Sequence, residues 1–122
     1  MAKVALIEDD LGIIEMYKLK FESSPHELSV ATDGDSGLAL VKKEKPDLVL
    51  LDILMPKKNG FEIVKEMRED PELAKTKIIM LTNLGDDETQ KQFKSLGVKD
   101  YIIKADLTPK EVLEKVERLL KK

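Results

Sequence analysis

The sequence predicts a three-layer α/β fold, a parallel sheet with helices on both faces. Strand and helix patterns alternate five times along the chain with short connections, the arrangement that parallel strands require. The run Leu48-Val49-Leu50-Leu51 is apolar without alternation, as in a strand covered on both faces. A chain of 122 residues, 42% of them hydrophobic, can close one core but not two. Residues 1–122 therefore read as a single domain, with no internal repeat, low-complexity segment or linker.

Each element carries its own signals. Lys3 to Ile7 is a short apolar strand, and Leu11 to Ser23 is helical, with Ile13, Met16, Tyr17 and Phe21 at helical spacing ahead of Pro25. His26 to Ala31 is the second strand. Asp33 caps a helix carrying Leu38, Leu40 and Val41, which ends in a lysine-rich run before Pro46. The third strand runs from Leu48 to Asp52. Asn59 caps a helix with Ile63, Val64 and Met67 on one face. Lys77 to Leu81 is the fourth strand, and a polar helix from Asp86 to Leu96 closes at Gly97. Asp100 to Ile103 is the fifth strand. Thr108-Pro109-Lys110-Glu111 opens the last helix with a capping box and a proline at its first position, ahead of Val112, Val116, Leu119 and Leu120.

Composition excludes several functions. The net charge of -3 gives no basis for generic nucleic-acid binding, and the absence of cysteine rules out disulfides, thiolate chemistry and thiolate-bound zinc. No apolar run reaches transmembrane length and no signal-peptide pattern precedes the first strand. The expectation is a cytoplasmic protein that binds no membrane.

The polar residues at the strand ends carry the chemistry. In a parallel sheet every strand finishes at the same edge, where open α/β sheets bind ligands. The first strand leads into Glu8-Asp9-Asp10, the third ends in Asp52, the fourth in Thr82 and the fifth in Lys104. An ionised carboxylate closing a buried strand costs free energy unless it is paired, solvated or metal-bound. Carboxylates sharing one site repel, and a hard divalent ion relieves that repulsion using carboxylates, a backbone carbonyl and water. One carboxylate can then act as nucleophile toward phosphorus, with the Lys104 ammonium and the Thr82 hydroxyl meeting the incoming charge. Taken singly, each residue also has a structural reading. Asp10 reads as a helix cap, Thr82 as a strand-end residue and Tyr101 as a half-buried aromatic. The lone histidine, His26, reads as exposed and structural.

The motifs Ile7-Glu8-Asp9-Asp10, Pro46-Asp47-Leu48-Val49-Leu50-Leu51-Asp52-Ile53-Leu54-Met55-Pro56 with Gly60, Thr82, and Tyr101-Ile102-Ile103-Lys104 resemble the receiver domain of bacterial two-component response regulators. The likeness is to the single-domain, chemotaxis-regulator-like kind, along nearly the whole chain. It implies a doubly wound, flavodoxin-like fold with five helices and strand order 2-1-3-4-5. It also implies that Asp52 accepts a phosphoryl group from a partner histidine kinase or histidine phosphotransfer protein. Asp9, Asp52 and the backbone carbonyl of Leu54 would contact Mg2+ (or Mn2+), with Glu8 acting mainly through water. Lys104 would pair with the phosphoryl oxygens, and Thr82 and Tyr101 would form the switch. The output surface would be the fourth helix, fifth strand and fifth helix, facing a downstream protein or an effector domain absent from this chain. Such a domain assists its own phosphorylation and dephosphorylation and is not a turnover enzyme. An aspartyl-phosphate-forming phosphatase or phosphotransferase, and a receiver-like binding module that no longer uses phosphate, are the alternatives.

Three positions depart from the family pattern. Ala105 follows Lys104 where proline in a cis bond is usual, and a cis bond before alanine costs roughly 2.5–4 kcal/mol. A trans bond or visible strain is expected there. Asn83 follows Thr82, and Leu54 and Leu84 are apolar where water would approach Asp52.

Overall fold

Five parallel strands make one sheet: β1 (Lys3–Ile7), β2 (Glu27–Ala31), β3 (Leu48–Asp52), β4 (Lys77–Thr82) and β5 (Asp100–Ile103), in the order β2-β1-β3-β4-β5. Five helices alternate with them: α1 (Leu11–Glu22), α2 (Gly34–Glu44), α3 (Gly60–Glu69), α4 (Asp87–Lys94) and α5 (Pro109–Leu120). The computed structural model describes residues 2–53, 59–82, 87–103 and 108–121. The expected fold class and strand order are both present. Among the described residues no helix is long and apolar enough to cross a membrane.

The layers follow from side-chain alternation. On β3, Val49 and Leu51 face α2 and α3, while Leu48 and Leu50 face α1 and α5. The first face is filled by Leu38, Val41, Ile63, Val64, Met67 and Phe93, the second by Ile14, Tyr17, Phe21, Val112, Leu113 and Val116. Every residue of β3 is buried, as its unbroken apolar run requires. Register is continuous across the centre, with Ile7 beside Leu51 on one flank and Asp52 beside Leu81 on the other.

Caps set where the helices begin. The Asp10 carboxylate accepts from the Gly12 and Ile13 amides, Asp33 accepts from Ser36, and Asn59–Glu62 and Thr108–Glu111 form complete capping boxes. At the far end of α4, the Val98 amide bonds the Phe93 carbonyl and the Gly97 amide bonds the Lys94 carbonyl. Gly97 has φ +82 and so closes a Schellman motif, which is why the helix stops there.

Some residues sit differently from expectation. α4 is described over Asp87–Lys94 and stops two residues before the expected end, because the Schellman turn takes up Ser95 and Leu96; Asp86 lies outside the described residues. On α1, Ile14 takes the inward position while Met16 is 47% exposed; two apolar stripes compete on that helix and the one holding Tyr17 and Phe21 wins. His26 is half-buried rather than exposed: its Nδ1 accepts from the Ala2 amide at 3.2 Å, tying down the chain ahead of β1. The Lys104–Ala105 bond, Asn83, Leu54 and Leu84 lie outside the described residues.

Arg68, at the end of α3, crosses to two loops. Its Nε donates to the Leu96 carbonyl at 2.8 Å, and one terminal nitrogen donates to the carbonyls of Ala74 and Thr76, both at 3.0 Å. The guanidinium thus fastens the α3–β4 connection to the end of α4, and its partial burial lowers its pKa. Removing it leaves half-buried carbonyls without this donor, at a cost of up to about 1–3 kcal/mol for each group left unsatisfied. Arg68→Ala is expected to lower stability by about 2–4 kcal/mol, read as a lower urea midpoint at unchanged slope.

Candidate acidic site at the carboxyl edge of the sheet

β1 and β3 deliver their acids to one edge because they are adjacent, parallel and in register. Beyond Ile7 the chain makes one more sheet-like bond, the Glu8 amide donating to the Ala31 carbonyl at 3.0 Å. Glu8 is consequently sealed from solvent, while Asp9 stands exposed on the rim. Asp52, at the end of β3, is only 6% exposed. Carboxylate oxygens of Glu8, Asp9 and Asp52 all lie within 4.8 Å of one another. Asp10 is not part of this group, since its side chain is committed to the α1 cap.

Three carboxylates so close make a strongly negative pocket from which two members cannot easily turn away. The donor set is all oxygen, with one ligand on the rim and two in the wall. That chemistry fits a hard divalent cation such as Mg2+ or Mn2+, which takes carboxylates and keeps several waters. The described residues thus bring together three of the expected metal-site groups. The backbone carbonyl of Leu54 and the side chain of Lys104 lie outside the described residues.

Thr82 ends β4 one strand away and is buried. Its register partner is Ile103, the last residue of β5. Tyr101 lies two residues earlier on β5, opposite Met80, with 38% of its surface exposed. Between them, under α4, is a cavity of about 290 Å3 lined by Thr82, Tyr101, Ile53, Thr89, Gln90 and Phe93, among others. Sequence reading missed this cavity, because a void is set by how far a helix stands from a sheet.

Tyr17 was also legible only as an apolar-face residue. Its phenol is pushed up to about 12 by burial and, secondarily, by the negative charge of Glu8. The acid in the wall of the site is therefore felt on the α1 side of the sheet.

The response regulator receiver domain family matches residues 4–117 of the chain. Among curated proteins, the chain is 32% identical over 122 residues to the DNA-binding dual master transcriptional regulator RpaA of Synechocystis sp., covering 100% of this chain and 50% of that protein. It is 38% identical over 107 residues to Protein PilH of Pseudomonas aeruginosa, covering 85% of this chain and 86% of PilH. The chain thus spans about half the length of regulators such as RpaA. Among solved structures, the chemotaxis response regulator CheY4 of Vibrio cholerae superposes with a TM-score of 0.88 at 30% identity, over 97% of this chain and 98% of CheY4. The BeF3-activated DrrB receiver domain superposes with a TM-score of 0.85 at 29% identity, over 100% and 99% of the two chains.

Two outcomes are expected of this site. Asp9→Asn is expected to weaken Mn2+ binding by about tenfold or more, followed by the electron-spin signal of free Mn2+, whereas Asp10→Asn keeps the wild-type affinity. The second concerns Tyr17. A raised folded-state pKa favours the neutral phenol in the native protein, so its contribution is full below the ordinary tyrosine value of about 10. It is lost as pH rises from there to about 12. Stability measured by denaturant across that window falls with pH in the wild type, and Tyr17→Phe removes that part of the fall.

Proposed function

The chain belongs to the response regulator receiver domain family, and from that premise we propose that it is a phosphorylation switch with Asp52 as its acceptor. Receiver domains of this family work within two-component systems and are phosphorylated by histidine kinases. The observation that carries the assignment of the site is the meeting of Glu8, Asp9 and Asp52 within 4.8 Å at the edge where Thr82 also ends its strand.

In the proposed reaction, a carboxylate oxygen of Asp52 attacks the phosphorus of a phosphohistidine on a kinase or phosphotransfer protein. The P–O bond forms, the P–N bond breaks, and the imidazole leaves with the electron pair and takes up a proton. Asp9, Asp52 and the Leu54 carbonyl would hold a divalent cation, with Glu8 acting mainly through water, and the cation would neutralise charge on the carboxylates and the phosphoryl oxygens. The Thr82 hydroxyl donates a hydrogen bond to the phosphoryl group, and the Lys104 ammonium pairs with its oxygens. Hydrolysis of the acyl phosphate by water returns Asp52 to a carboxylate.

The output follows from the cavity under α4. Once Thr82 turns toward the phosphoryl group, Tyr101 has room to move from the surface into that space. α4 carries one buried apolar anchor among its described residues, Phe93, with the half-buried Leu96 in the turn that follows, so its surface shifts at small cost. The α4–β5–α5 surface would thus present two arrangements to a downstream protein or effector domain, with phosphorylation biasing the population. The 122 residues act as one cytoplasmic receiver domain in this reading, without direct contact to nucleic acid or membrane.

A phosphatase or phosphotransferase working through an aspartyl phosphate is the second reading. Such chemistry is served by a second acid two residues beyond the nucleophile, and that position is Leu54. A phosphate-independent binding module has no use for three acids gathered within 4.8 Å at one edge. Incubation with acetyl phosphate and Mg2+, followed by intact mass, separates the readings. The wild type is expected to gain one phosphoryl group and Asp52→Ala none. Rapid catalytic turnover without a detectable phosphoprotein would favour the phosphatase, and no reaction at Asp52 would favour the binding module.

A further inference from the structure

The backbone of the acceptor strand touches one residue for which the proposed chemistry has no use. Gly60 is the first residue of α3 and lies against the end of β3. A Cβ built on it would lie 2.9 Å from the Asp52 carbonyl oxygen, 3.0 Å from the Ile53 Cα and 3.1 Å from the Met80 Cε. Real Cβ atoms are not found closer than about 3.0 Å to such neighbours, so a side chain there forces something to shift. Among the described residues Gly97 is the one glycine with positive φ. Gly60 therefore does not serve an unusual backbone conformation. It serves a distance.

We propose that Gly60 is a positioning residue for phosphorylation: its missing side chain lets the first turn of α3 seat against the Asp52–Ile53 backbone and hold the acceptor carboxylate in line with the rest of the site. The inference rests on the receiver reading and names a further determinant of the same site. Two contacts and the rigidity of β3 support it. The Gly60 amide donates to the Ile53 carbonyl at 2.9 Å, so α3 and the end of β3 are joined as well as touching. The Ile53 amide donates to the Leu81 carbonyl across a longer 3.3 Å, so sheet pairing weakens at the point where α3 presses. The core of β3 cannot yield, since Leu48 to Leu51 are fully buried and paired on both sides. An added methyl therefore displaces residues 52 and 53 in preference to the strand behind them. Of the three close neighbours, the Met80 methyl can move aside and the backbone of residues 52 and 53 cannot do so without carrying Asp52 along.

Gly97 supplies the comparison. It sits at the end of α4, and its replacement strains a left-handed backbone position while a Cβ there meets only the Arg68 Nε, at 3.7 Å. Gly97→Ala loses stability for a reason unconnected with Asp52.

The test measures the rate constant for Asp52 phosphorylation by acetyl phosphate at saturating Mg2+, with hydrogen exchange of the Ile53 amide as a second readout. Displacement by a few tenths of an ångström at a reacting centre is expected to cost about tenfold, since an ångström costs about a hundredfold. Gly60→Ala is expected to be phosphorylated about tenfold more slowly and to exchange faster at Ile53, whereas Gly97→Ala keeps the wild-type rate. Adding Met80→Leu, which removes the Met80 Cε at nearly constant volume, should leave the defect in place. A Gly60→Ala rate within twofold of wild type, or a full recovery on adding Met80→Leu, overturns the proposal. If Gly60→Ala does not fold, Gly60→Ala/Met80→Leu takes its place. Failure of that pair to fold also overturns the proposal, because Gly60 is then needed for folding rather than for placement. A wild type that takes up no phosphoryl group refutes the receiver reading instead, and exchange at Ile53 then still reports on the contact.

Discussion

The convergence of three carboxylates at the end of a buried strand is the constraint on which the site depends. Glu8 and Asp52 are shielded from water on the protein side, and Asp9 holds the rim. Their oxygens stay within 4.8 Å because the parallel pairing of β1 and β3 is fixed by residues with no freedom to move. Hydrophobic burial along β3, worth about 1.5–3 kcal/mol per large side chain, opposes the electrostatic cost at its tip. A sheet of weaker core would fray at this edge, and the juxtaposition of the three acids would be lost with it.

The same frame is not equally stiff everywhere. Around β3 the packing is close, with Gly37 and Gly60 letting α2 and α3 approach Ile7 and Asp52 nearer than a side chain would allow. On the β4–β5 side, α4 stands over a cavity at the edge near Thr82, while at its other end the Schellman turn and Arg68 hold it to the rest of the protein. One half of the molecule is closely packed around Asp52, and the other leaves a cavity beside Thr82 and Tyr101. The proposed switch would use the first for chemistry and the second for response.

Local sequence signals were most reliable where a single interaction decides the structure. Asn59–Glu62 and Thr108–Glu111 start helices by hydrogen bonds within four residues, and Gly97 ends one by its positive φ. Asp10 was recognisable as a cap for the same reason. Where two patterns compete, local signals fail. α1 carries apolar residues on more than one face, and the inward choice of Ile14 over Met16 depends on the sheet beneath. His26 likewise reads as a surface residue until the Ala2 amide is found bonded to it.

For the site, residue types and their positions at strand ends were readable from the chain alone, because parallel strands bring their carboxyl ends to one edge whatever the connecting lengths. The unbroken apolar run before Asp52 already implied a carboxylate at the margin of a core. Distances were not readable. The closeness of Glu8, Asp9 and Asp52, the cavity beside Thr82 and Tyr101, and the contact of Gly60 with the Asp52 backbone arise from how layers pack, which involves residues far apart in sequence. Periodicity and caps act over a few neighbouring residues and so settle the elements and their order; separation between elements is a sum over the whole core, and tertiary structure alone decides it.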